Sequence, residues 1–129
     1  MREGRYWHPL LGEELPPQVF AVQQAWFDYA VPPPTLQRIL GQRDITRVWE
    51  LREYGPEYEI DLDEMEPEYT GAEGYWTSGD MDWLVYVSHE SSVTLAGGWL
   101  IDAVKTVWPE WERRLYTGWD YEPPPSADR

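Results

Sequence analysis

The chain has 129 residues, enough for one domain with its own core, and 42% of them are hydrophobic, with nine Trp, nine Tyr and two Phe. That aromatic content excludes wholesale disorder, and the absence of Cys excludes disulfides, zinc–thiolate sites and thiol catalysis. A formal net charge of -14 sets the chain against nucleic acid and anionic membranes and in favour of basic proteins.

The opening residues lack the apolar core of a secretory signal, and no apolar run approaches the ~20 residues of a membrane span. A soluble, cytoplasmic chain with no membrane partner is expected. Pro17 opens an expected helix reaching Ala30, with Val19, Val22, Trp26, Phe20, Phe27 and Ala30 at helical spacing. Pro32, Pro33 and Pro34 end it, and Thr35 is the expected N-cap of a short helix, TLQRIL, closed by Gly41. Asp44 has the chemistry to cap a further turn, but residues 46–54 are rich in strand formers and read as a strand.

Gly55-Pro56 marks a turn, and the stretch GPEYEIDLDEMEPEY follows from Gly55 to Tyr69. It holds seven carboxylates, Glu57, Glu59, Asp61, Asp63, Glu64, Glu66 and Glu68, without one Lys or Arg. From Glu50 to Asp82 twelve acids face Arg52 alone, so this third of the chain carries -11 of the total -14. Such a block repels itself and is expected to stay extended, loop-like or at the surface.

GYWTSG then reads as a short strand, DWLVYVSHE as the clearest strand of the chain, and SSVTLAGG as its hairpin partner across a turn at His89, Glu90, Ser91 and Ser92. WLIDAVKTVW places Leu100, Ala103, Val104, Val107 and Trp108 on one helical face, and Pro109 leads into a further turn carrying Trp111 and Leu115. Order in the tail is expected to reach Trp119 or Tyr121 at most. The whole reads as one α+β domain over 1–116, a central antiparallel sheet of about three to five strands with helices from both the N- and C-terminal parts packed on it. Residues 117–129 are expected to form a partly flexible tail.

Chemical motifs fail when tested in turn. Counted from Asp61, an EF-hand would need Gly at the sixth position and Glu at the twelfth, where Glu66 and Ala72 stand. Asp80, Asp82 and Glu90 lie among aromatic residues, a composition compatible with a sugar cleft but too common to define one. His89 neighbours Ser88, Ser91 and Ser92, yet adjacent strand residues point to opposite faces, and there is no nucleophile elbow. Its ring is expected to bond the turn backbone. Gly97-Gly98 is too short to cradle a phosphate. No catalytic residue, metal site or cofactor is expected.

Trp26, Trp83, Trp99 and Trp108 fall where a core is expected, whereas Tyr54, Tyr58, Tyr69, Tyr75 and Trp76 lie in or beside the acidic block. Aromatic rings within an acidic field suit the capture of a basic protein, since charge speeds encounter and rings hold the contact. The expected binding residues are Glu57, Tyr58, Glu59, Asp61, Asp63, Glu64, Glu66, Glu68, Tyr69 and Trp76. In size, charge, lack of Cys and Trp content, the chain resembles the small immunity proteins of bacterial toxin systems as a class. That resemblance implies an acidic inhibitor of a basic toxin or nucleic-acid enzyme, with no direct nucleic-acid binding. A nucleic-acid mimic acting on a defence enzyme and an enzyme with a carboxylate-based site in an aromatic cleft are the alternatives.

Overall fold

A computed structural model of the chain describes residues 19–53, 55, 57–68, 72–78, 82–116 and 124. Among these, six strands form one antiparallel sheet: β1 (Val19–Gln23), β2 (Arg47–Arg52), β3 (Glu57–Asp61), β4 (Gly74–Thr77), β5 (Leu84–Val87) and β6 (Ser92–Ala96). Their spatial order is β1-β6-β5-β4-β2-β3. Helices α1 (Gln24–Ala30), α2 (Pro33–Gly41) and α3 (Gly98–Val107) complete an α+β architecture, with single 3-10 turns at Leu62–Glu64 and Trp111–Arg114.

Side chains alternate across the sheet. Phe20, Val22, Val93, Leu95, Val85, Val87, Trp76 and Val48 turn to one face, where they join Phe27 of α1, Leu36, Ile39 and Leu40 of α2 and Leu100, Ile101 and Val104 of α3 in a single core. On the opposite face Ala21, Ser92, Thr94 and Tyr86 are also buried. That burial of both faces explains the largest departure from expectation. VFAVQ forms a strand, and the helix expected from Pro17 starts only at Gln24. A strand apolar on both faces has no alternation, so spacing alone cannot separate it from a helix. Pairing with Val93 and Leu95 of β6 decides the matter.

The second addition is β3. The acidic stretch expected as a loop is a strand over Glu57–Asp61, paired residue for residue with β2, so the sheet has six strands rather than three to five. Elsewhere the boundaries move by small amounts. The strand expected over 46–54 runs Arg47–Arg52, the TLQRIL helix starts earlier, at Pro33, and the hairpin partners are β5 and β6. Asp44 is no cap; it takes a left-handed conformation (φ 63°) in the turn after α2. The expected limit of tail order at Trp119 or Tyr121 lies outside the described residues.

Two glycines are fixed by close approach. Gly97, which opens α3, has φ 108°, and a Cβ there would lie 2.6 Å from the Asp82 carbonyl oxygen and 2.9 Å from Trp83 Cα. Gly74 leaves room for the Trp76 ring, which would stand 2.7 Å from a Cβ. Trp83 itself is 2% exposed and donates from Nε1 to Ser78 Oγ at 2.7 Å.

Truncating a buried Trp costs ~3–5 kcal/mol, and an unpaired charge in the core costs as much or more. Trp83→Ala, Val104→Asp and Gly97→Ala should each lower the midpoint of urea unfolding substantially. Native-like midpoints for the first two would place these residues outside the core.

Candidate functional site

The pairing of β2 with β3 sets Arg47 opposite Asp61, Trp49 opposite Glu59 and Leu51 opposite Glu57. Glu57, Glu59 and Asp61 therefore share the sheet face turned away from the helices, while Tyr58 and Ile60 turn towards the helix side. Beyond β3 the chain runs through Leu62–Glu64 into Met65, Glu66, Pro67 and Glu68. All seven carboxylates of this run are solvent-exposed, and Tyr58 is 49% exposed. The run from Glu57 to Glu68 is thus an acidic border that begins on β3 and continues past it to the helix side, where Met65 joins the core.

Apolar residues hold that border in place between its charges. Met65 is wholly buried and Pro67 is buried, so the run alternates anchored and exposed positions. From α2, Gln37 Nε2 donates to the Met65 carbonyl at 3.0 Å. Arg52, the lone base of the acidic third, donates from one terminal nitrogen to the carbonyl oxygens of Glu68 (3.0 Å) and Ala72 (3.3 Å), and from Nε to Glu50 Oε2 at 3.0 Å. Its guanidinium lies 4.8 Å from the Trp76 ring centroid. Asp61 and Asp63 also line a shallow pocket of about 300 Å³ with Gln37, Ile45, Thr46 and Leu62.

Trp76 corrects one expectation. It was expected to dock into a partner, but it is wholly buried and its Nε1 donates to Glu50 Oε1 at 3.1 Å. Alternation on β4 turns it to the core face, so it stabilises the fold and is no contact ring. The exposed tryptophan of this region is Trp49, 38% exposed and directly opposite Glu59. Tyr69 lies outside the described residues.

Little positive charge offsets the border. Arg43, Arg52, Lys105 and Arg114 each lie over an aromatic ring, of Trp99, Trp76, Trp111 and Trp26 respectively. Among the described residues, Arg47 is the one base in ion pairs with the acids of 57–68: with Asp61 at 2.8 Å and with Glu59 at 3.8 Å. Asp28 of α1 is pushed up to about 6, by burial first and then by the Glu68 carboxylate.

A second polar cluster was not expected. Glu73, 7% exposed, accepts from the Tyr86 hydroxyl at 2.7 Å, from the His89 backbone N–H at 3.2 Å and from the His89 ring through Nδ1. The His89 ring thus bonds a carboxylate where a bond to turn backbone was expected. Glu90 lies 3.6 Å from Nε2. Burial raises the Glu73 pKa, but the hydrogen bonds from Tyr86 and His89 outweigh it, and the net shift is downward from 4.5. The same contact with Glu73 raises His89 above 6.5. A carboxyl held in its charged form cannot serve as a general acid at neutral pH. The pair instead clamps the β5–β6 turn to the residue preceding β4. Sixteen residues separate Glu73 from His89, and no sequence pattern signals the contact; only the strand pairing of β4 with β5 creates it.

Two outcomes follow from this geometry. Removing like charges from an exposed block should change stability by no more than ~0.5 kcal/mol per site, and an exposed ion pair such as Arg47–Asp61 adds little. The combined variant Glu57→Gln, Glu59→Gln, Asp61→Asn and Asp63→Asn should keep or raise the thermal midpoint at pH 7; a collapse would show that these carboxylates support the fold. Separately, the clamp contributes fully between 4.5 and 6.5. Below that window stability is lost as pH falls through the depressed Glu73 pKa, and above it stability is lost as pH rises through the raised His89 pKa. NMR titration of the His89 ring should show a midpoint above 6.5 that falls in Glu73→Gln. An unchanged midpoint would remove Glu73 as the cause.

No protein-family model matches the chain, and no curated protein or solved structure matches it either; its function has to be read from the chemistry of the acidic border itself.

Proposed function

We propose that the chain is a small acidic protein-binding inhibitor of immunity type, which neutralises a basic toxin or nucleic-acid enzyme through the border from Glu57 to Glu68. The observation that carries the reading is that all seven carboxylates of this run are exposed and that, among the described residues, Arg47 is the one base ion-paired with them. A surface of one sign draws a basic partner by long-range attraction and repels nucleic acid. Lys and Arg that hold phosphates on such a partner would pair with these carboxylates instead. Tyr58 and Trp49, exposed on opposite faces of the border, supply the short-range contact.

Anchoring favours this role. Met65, Pro67, Gln37 and Arg52 fix the acidic run before any partner arrives, so less ordering has to be offset on binding. Glu73, held in its charged form, offers no general acid for a carboxylate-based enzyme site, and Asp28, the carboxyl pushed up to about 6, is exposed on α1 and lines neither described pocket. Long-range mimicry of duplex nucleic acid is poorly supported as well. Carboxylates on one face of a strand recur every ~6.7 Å, so three of them span ~13 Å. A duplex places ~8 phosphates in that length.

The test is kinetic, on the partner recovered by affinity purification from the native host. Charge acts over ~8 Å at physiological salt, so association should slow steeply as salt rises. Tyr58→Ala and Trp49→Ala should act mainly by speeding dissociation. Salt-insensitive association, together with full inhibition by the four-site charge-neutralised variant, would exclude the proposed mechanism.

A further inference from the structure

The two edges of the sheet are finished differently. At the β1 edge, Tyr116 N donates to the Ala21 carbonyl at 2.8 Å and Leu115 bridges Val22, so the chain covers its own strand. At the β3 edge, no strand of the described residues pairs beyond β3. Which peptide groups face outward follows from one bond. Leu62 N donates to the Thr46 carbonyl at 2.9 Å. In an antiparallel ladder the bonded pairs recur every second residue, so Ile60 and Tyr58 bond inward to Val48 and Glu50. The peptide groups of Glu57, Glu59 and Asp61 point outward. These are the same three residues whose carboxylates share the face away from the helices.

The edge already holds one cation. Arg47 donates to the Glu59 carbonyl at 3.2 Å and to the Asp61 carboxylate at 2.8 Å, a backbone and a side-chain acceptor engaged by one guanidinium. Edge strands are commonly charged to prevent pairing with other chains. Here all three outward positions carry one sign, so the guard is selective. A second copy pairing edge to edge would bring carboxylates against carboxylates, whereas a strand with cations at every second residue would meet them at the same ~6.7 Å period.

We infer that β3 takes its partner by strand addition: an extended segment with Lys or Arg at alternate positions bonds its backbone to residues 57, 59 and 61 and lays its cations over their carboxylates. This rests on the acidic-inhibitor reading and adds to it the secondary structure and side-chain pattern of the partner's contact segment.

The probe is a synthetic octapeptide of alternating Lys and Thr, added to the full chain at low ionic strength. NMR hydrogen exchange should show the amides of residues 57, 59 and 61 slowed on addition, with those of Tyr58 and Ile60, already bonded to β2, little changed. Two further peptides carry N-methyl groups on every Lys or on every Thr, which keeps the charge and removes one side of the backbone. One of the two should lose affinity by about tenfold or more, because its methyl groups occupy the pairing edge. Equal binding by the parent and both methylated peptides would overturn strand addition. If that equal binding still collapses in the four-site charge-neutralised variant, the acidic-surface reading survives without it. Failure of the parent peptide to bind, or binding that leaves residues 57, 59 and 61 unprotected, would also overturn strand addition, while the salt series on the native partner would still judge the inhibitor reading independently.

Discussion

The acidic side of this molecule depends on Arg52. A segment with seven carboxylates and no base has no electrostatic reason to lie against anything. Arg52 supplies one, by reaching from β2 to the carbonyl oxygens of Glu68, the last acid of the run, and of Ala72 just past it, while its own charge is balanced by Glu50. Glu50 in turn accepts from the buried Trp76, and Arg52 lies over the Trp76 ring. Gly74 makes that stacking possible, because a Cβ there would meet both the ring and the guanidinium. One cation thus joins the core to the acidic border, and buried Met65 and Pro67 complete the attachment.

The consequence is a division of charge. Arg43, Arg52, Lys105 and Arg114 all lie over aromatic rings, where each gains attraction to the ring face as well as coverage of its stem. Arg47 instead lies at the β3 edge, bonded to the Glu59 carbonyl and the Asp61 carboxylate. The far edge of the sheet is closed by Leu115 and Tyr116, whereas no strand of the described residues pairs beyond β3.

The Glu73–His89 clamp belongs to the fold, not to the border. It draws a buried carboxylate, a buried phenol and an exposed imidazole together at the β5–β6 turn, where Ser91 holds a left-handed conformation of φ 67°. Hydrogen bonds there stabilise the charged carboxylate against its burial, which gives the turn a pH-dependent tie rather than a reactive group.

By itself the sequence determined the α+β class, the β5–β6 hairpin, the amphipathic α3 and the concentration of charge in one third of the chain. Each is carried by a local signal: β-branched runs flanking a turn, apolar residues at helical spacing, and a count of acids. What was misread had a signal outweighed by another. Glu57-Tyr58-Glu59-Ile60-Asp61 alternates as a half-buried strand does, but its charge density favoured a self-repelling loop, and only pairing with Arg47, Trp49 and their neighbours decided otherwise. VFAVQ, apolar on both faces, had no period to report until β6 lay beside it. Tertiary structure alone decided that Trp76 is core while Trp49 is surface, because the face a strand residue takes depends on the register of its neighbours. It alone brought His89 to Glu73 and set β3 last in the order of the described strands, since contacts between distant residues and the order of strands in a sheet are properties of the assembled chain and not of any segment of it.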